Sequence, residues 1–198
     1  MKLRIPTLVI LALSILLVSC KTDKEEPAQQ EQAVEEVVEK KPVRTIEDIK
    51  KAKSVMAKLM LTKEGSRFSS YLVTVGLTDK LFFEDGPFTV FAPTNDVIEK
   101  LGDKLNRGLS QQQKKDSLAT MLKGHIVEGY YDTVNLVQAL KSGPVKLTTL
   151  NGSGLTVSKK GSDIIVENEQ GISAKIGKSD IIGGNGVIHL VDNFLGAN

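Results

Sequence analysis

The sequence predicts an α+β fold, with helices first and a meander of strands after them. Three observations carry this. From Thr45 to Leu122 the apolar residues recur at helical spacing, broken by one β-branched and aromatic run. From His125 onward the pattern changes to short β-branched and apolar runs separated by glycine and asparagine turns. The two kinds of element are segregated along the chain, not alternating, which points away from βαβ units and a parallel α/β sheet.

The amino terminus precedes this pattern. Lys2 and Arg4 form a short positive region, and Leu8 to Val18 is an almost unbroken apolar run. The run has the length of a signal-peptide core and falls short of the roughly 18–20 residues a spanning helix needs. Leu17-Val18-Ser19-Cys20 resembles the bacterial lipobox, which implies cleavage before Cys20 and acylation of its thiol. Removing 19 of the 198 residues leaves 179. Cys20 is the only cysteine, so the rest of the chain holds no disulfide, thiolate cluster or thiol nucleophile.

Residues 20–43 read as a lipidated cysteine and a flexible charged tether. The stretch is rich in Glu, Gln and Lys and has no aromatic residue, so it buries too little apolar surface to offset the entropy of ordering. Fully extended, about 20 residues reach some 60–70 Å. Lys21, Asp23, Lys24, Glu25 and Glu26 follow the lipid site directly. They read either as a plain solvated linker or as the acid-and-lysine signal that sends some lipoproteins to the outer face of the outer membrane. The localisation expected is the cell envelope, at the outer membrane, facing the cell surface or the periplasm.

The domain proper is expected over 44–198. Thr45-Ile-Glu-Asp offers a capping box, and Ile46, Ile49, Val55, Met56, Leu59 and Met60 continue as an apolar stripe. A second helix is predicted over Ser66 to Val75, ended by Gly76, and a third over Lys80 to Phe83. Phe88 to Ala92 is a strand after the Gly86-Pro87 turn. Pro93-Thr94-Asn95-Asp96 starts a helix with Val97, Ile98 and Leu101 inward. Ser110 to Leu122 is a further helix stopped by Gly124. His125 to Val127 is a short strand and Thr133 to Leu140 a short helix. Strands then follow at 146–150, 155–158, 164–167, 172–176 and 187–191, separated by turn sequences such as Asn151-Gly152.

Two segments carry a family resemblance. Gly86-Pro-Phe-Thr-Val-Phe-Ala-Pro-Thr-Asn-Asp-Val-Ile-Glu-Lys-Leu101 resembles the first box of the fasciclin-like domain. Asn185-Gly-Val-Ile-His-Leu-Val-Asp-Asn-Phe-Leu195 resembles the second. Leu122-Lys-Gly-His-Ile-Val-Glu-Gly129 resembles the segment holding the family's Tyr-His pair, with Gly124 in place of the tyrosine and Tyr130 and Tyr131 a few residues on. Gly184 stands where a threonine is usual. The resemblance covers the chain from about Thr45 to its end. It implies a wedge-shaped β-sandwich with N-terminal helices packed on one side, and an adhesion or interaction role. It also implies contact roles for Asp180 and Ile181 and for His125, Tyr130 and Tyr131. The box residues Thr94, Asn95, Asn185, Gly186, His189 and Asp192 are expected to act as fold determinants.

The chemistry classes thin out quickly. A formal net charge of +2 and the absence of tryptophan give no basis for nucleic-acid binding. His125 and His189 lie among apolar neighbours and are expected to be buried and hydrogen-bonded; no third ligand has metal-site spacing. Gly177-Lys178-Ser179 lacks the earlier glycine of a phosphate loop. No Gly-x-Ser-x-Gly elbow occurs. The expected chain is therefore a non-enzymatic module with no metal or cofactor. Its partners are the bilayer, through acylated Cys20, and a protein or polysaccharide surface ligand. The alternative is a carrier of an apolar small molecule, in a cleft lined by Met56, Met60, Phe82 and Phe83.

Overall fold

The first helix begins at the capping box. The computed structural model describes residues 45–102 and 110–196, which fall in the unit Pro42–Asn198; the leader, Cys20 and the tether lie outside the described residues. Thr45 Oγ1 accepts from Asp48 N, and the Asp48 carboxylate accepts from Thr45 N, starting α1 (Ile46–Lys53). The stripe expected through 46–60 does not form one helix. Ser54 is extended, ends α1, and caps α2 (Val55–Leu61) by accepting from Ala57 N. Spacing counted across that break no longer marks one face. Val55, Met56 and Leu59 are buried, whereas Ile46 is 87% exposed and Ile49 and Met60 are exposed with it.

The remaining helices follow their end signals. α3 (Ser66–Val75) closes on Gly76, left-handed at φ +79, whose N–H returns to the carbonyls of Leu72 and Val73. α4 (Thr78–Phe83) and α5 (Asn95–Gly102) flank the first strand. α6 (Gln111–Lys123) starts with a reciprocal Ser110–Gln113 box, and α7 (Thr133–Ala139) with the Asp132 carboxylate accepting from Asn135 N.

Eight strands are described: β1 (Phe88–Pro93), β2 (Ile126–Glu128), β3 (Val145–Thr148), β4 (Gly154–Lys160), β5 (Asp163–Asn168), β6 (Ser173–Lys175), β7 (Ile181–Gly183) and β8 (Gly186–Val191). They form two four-stranded sheets, ordered β2-β1-β8-β7 and β3-β4-β5-β6. β7 has no counterpart in the sequence reading. The second sheet is an antiparallel meander. In the first, β1 and β8 run parallel, Phe88 opposite Gly186 through Pro93 opposite Val191, so the two box segments are direct neighbours at the centre of the fold.

The first sheet is buried on both faces, which is why β1 and β8 read as nearly continuous apolar runs. Phe88, Val90, Ala92, Ile126, Ile188 and Leu190 face the helices, against Phe68, Leu72 and Leu122. Phe91, Val127 and Val191 face the second sheet, against Leu147, Leu155, Val157 and Val166. The architecture is thus α+β, a two-sheet sandwich with helices on one side. Bridges at Val127–Thr149 and Ile176–Val191 join the sheets at both flanks.

Candidate functional site

The box residues act as crosslinks. Asn185 Oδ1 accepts from Val55 N at 2.8 Å, and its Nδ2 donates to the carbonyls of Leu81 and Glu84 at 3.1 and 2.9 Å. One buried amide thus ties the β7–β8 turn to two helix ends. Asn95 does the same at the other box: Oδ1 accepts from Arg67 N, and Nδ2 donates to Lys63 O at 2.9 Å. Thr94 N donates to Val191 O, and its carbonyl accepts from Val97 and Ile98 to open α5. Asp192 Oδ1 accepts from Lys175 N at 2.7 Å and holds β6 to the end of β8. Gly186 has φ +154, and a Cβ there would overlap Phe88 O. Glycine lets the parallel pair begin.

The two histidines are both 0% exposed. His125 is in the core, not at a surface, and so is unavailable to a partner of the folded domain. Its Nε2 accepts from Leu195 N at 2.9 Å and its Nδ1 faces Met121 O at 3.2 Å, which fixes the Nδ1–H tautomer. Its ring packs between Phe68 and Phe194. Burial lowers its pKa from 6.5 to about 4, against a smaller raising effect of the Met121 carbonyl. His189 takes the opposite tautomer. Tyr131 O can only accept, so Nε2 donates to it at 2.8 Å, and Nδ1 accepts a long hydrogen bond of 3.5 Å from Asp180 N. Burial lowers its pKa too, opposed by Tyr131 O and by the Asp180 and Asp132 carboxylates.

His189 sits opposite an irregularity. Ile181 pairs with Ile188, and Ile176 bridges Val191. Five residue steps on one side therefore face three on the other, a bulge that bends the strand. Asp180 lies in it at φ +57, the one non-glycine residue with positive φ among the described residues. Such a conformation costs roughly 1–2 kcal/mol. The exposed Asp180 carboxylate accepts from Thr133 N at 2.8 Å and so binds the bulge to the start of α7. Thr133 Oγ1 is the only buried side-chain polar atom without a partner among the described residues.

The predicted contact residues part company at this joint. Ile181 packs against the helix-side core, and Tyr131 packs against the sheet-side core with its N–H on Thr89 Oγ1. Tyr130 is half-buried. Next to this joint the apolar side chains that reach solvent are Ile182 on β7, 59% exposed, and Val134 on α7, 74% exposed, with Val137 one turn on; on the helical side Leu61 and Val73 are exposed as well. Sequence reasoning missed the three beside the joint. The Asp132-Thr133 cap was a visible signal for α7, but the bulge inverts which isoleucine faces out, and nothing in the residue pattern announces it.

Of the four residues proposed to line a carrier cleft, Phe82 packs on the core that holds Met56 and against Phe83, so they lie near one another but as core and rim. Met56 is fully buried, Met60 is exposed, and the Lys51 ammonium covers the Phe82 and Phe83 rings at 5.0 and 5.3 Å. Among the described residues no group of three or more His, Cys, Asp or Glu is placed to hold a metal ion, and no helix is long and apolar enough to cross a membrane.

These features define an α+β sandwich module with a crosslinked centre and one strained, outward joint. The chain belongs to the fasciclin domain family: the Fasciclin domain model matches residues 63–197. It is similar to Protein sll1483 of Synechocystis, 31% identical over 72% of this chain and 74% of that protein. It is also similar to human periostin, 34% identical over 66% of this chain. The pig transforming growth factor-beta-induced protein ig-h3 is 33% identical over 67% of the chain. The chain spans only 14% of periostin and 18% of ig-h3. Among solved structures it resembles a FAS1 domain pair from the insect cell adhesion molecule Fasciclin I. The TM-score is 0.56 at 21% identity, covering 67% of this chain and 45% of that one, a likeness of fold.

Proposed function

We propose that this chain is a lipid-anchored module of the bacterial cell envelope that binds a surface macromolecule through the α7–β7 face, without catalysis. One observation carries the reading. The Asp180 carboxylate ties the bulge to the start of α7 at Thr133, whose Oγ1 has no partner, and the exposed Val134 and Ile182 lie within two residues of that tie, while the box residues are satisfied inside the frame. Strain retained at one exposed place is expected of a contact site and is of no use to a scaffold. Apolar side chains beside the Asp132 and Asp180 carboxylates suit a protein partner with an apolar and basic surface better than a sugar. The Fasciclin I neighbour, named for cell adhesion, supports the same role. The leader, the Leu17–Cys20 pattern and the charged tether support anchoring at Cys20, with the outer membrane as its place.

The test uses the full chain, purified in detergent, on beads coated with matrix protein, polysaccharide or envelope fragments. Retention is expected on a protein surface, weakened about tenfold or more (~1.4 kcal/mol) by Val134→Asp with Ile182→Asp. Equal retention of wild type and double variant sinks the α7–β7 face. Failure to bind any coat sinks adhesion. Labelled palmitate should enter the wild type and not Cys20→Ser.

A further inference from the structure

We infer that His189 is an acid-sensitive latch on the α7–β7 face, neutral when the joint is closed and released when the ring takes a second proton. The inference rests on the proposed role of that face and adds its regulation.

The geometry requires a neutral ring. Tyr131 O occupies Nε2 as an acceptor, at 2.8 Å, and Asp180 N–H points at Nδ1. A proton on Nδ1 would set two donors against each other. The contact is already long at 3.5 Å, so it has little to lose. An acceptor for the new N–H lies on the same residue: the Asp180 carboxylate, which now holds Thr133 N. An imidazolium that draws this carboxylate takes the partner from the first residue of α7. The closed joint is also not the best-satisfied arrangement of its groups, since Thr133 Oγ1 is unpaired and Asp180 is left-handed.

The surroundings favour a response confined to this joint. The charged groups facing the ring are Asp180 from the bulge and Asp132 from the α7 cap. Phe91 of β1 stacks on it at 5.7 Å and brings no charge. Lys178, the other charged residue of the bulge, reaches away to Glu64 at 3.3 Å. Two carboxylates stand ready to hold an imidazolium once the ring leaves its Asp180 N–H contact. The Tyr131 carbonyl keeps the other nitrogen in either state. Burial lowers the His189 pKa, so the release falls below the ordinary histidine range.

Amide hydrogen exchange on the full chain tests this without any ligand, and so separates it from the binding experiment. Corrected for intrinsic rates, the amides of 133–139 and 179–182 should lose protection about tenfold from about pH 7 to about pH 5. The α3 amides, packed on His125 through Phe68, should lose only what the titration of His125 causes across the whole fold, less than the joint loses. His189→Gln, which keeps a donor for Tyr131 O and cannot be charged, should remove the loss that the joint shows beyond α3. An equal loss in His189→Gln, or none in the wild type, overturns the latch. Should that variant fail to fold, Asp180→Asn replaces it: the amide still accepts from Thr133 N but attracts an imidazolium far less. The loss should then shrink, and an unchanged loss overturns the proposal.

Discussion

Asn185 makes three hydrogen bonds from inside the helical layer, whereas Asp180, five residues earlier, holds a left-handed backbone at the surface. They flank β7, the strand at one edge of the first sheet. Every polar atom of the Asn185 amide is matched, and its partners come from two different helices. The Asp180 joint has a long hydrogen bond, an unpaired hydroxyl and exposed apolar neighbours. A frame gains from satisfaction, because each unpaired buried group costs roughly 1–3 kcal/mol. A contact surface needs residues that are not consumed by the frame. The family resemblance places important residues in both regions, but the physics separates their roles.

The comparison breaks first if Asn185 is dispensable. Asn185→Ala leaves Val55 N–H and Leu81 C=O buried without partners, at about 2 kcal/mol each. Chemical denaturation should show a loss of about 4 kcal/mol. A loss below about 1 kcal/mol would mean the amide is no crosslink, and the distinction between frame and joint would fail.

How much of this was readable beforehand divides along the same line. Helix ends were legible because capping is local chemistry: Thr45–Asp48, Gly76 and Ser110 act where the residues suggest. The central strands were legible because burial on both faces leaves continuous apolar runs. The Ser54 break was not, since a serine inside an apolar stripe is also tolerated in a continuous helix. β7 was not, because three residues between a bulge and a glycine turn carry no period. With it went the outward direction of Ile182. Asn185 was recognised as a box residue, but its partners at Val55, Leu81 and Glu84 lie in distant segments that no spacing rule connects.

Acid tests the core side of the comparison. His125 has a pKa of about 4 in the fold against 6.5 unfolded. Between those values the unfolded chain binds a proton that the fold refuses. Stability is therefore full above pH 6.5, falls as pH drops towards 4, and levels off below. A shift of this size amounts to about 3 kcal/mol, and His189 adds in the same direction. Denaturation midpoints measured along this range should fall with the acid. In a folded His125→Gln variant the slope should shrink, leaving the His189 share. A flat profile in the wild type would contradict the neutral, fully buried imidazole, and with it the view of the core as the acid-sensitive frame.

The smallest effect is the sharpest discriminator. Val134 and Ile182 are 74% and 59% exposed, so polar substitutions there remove little burial. Val134→Ser and Ile182→Ser should each change stability by no more than about 0.5 kcal/mol, measured by denaturant unfolding. Ile181→Ser should cost more, because that side chain packs against the helix-side core. The contrast between two adjacent isoleucines isolates the effect of the bulge. If Ile182 proves as costly as Ile181, the strand faces are not as described and Ile182 belongs to the frame. If it is neutral for stability, any loss of binding in its variants reports contact, since the fold beneath it has not changed.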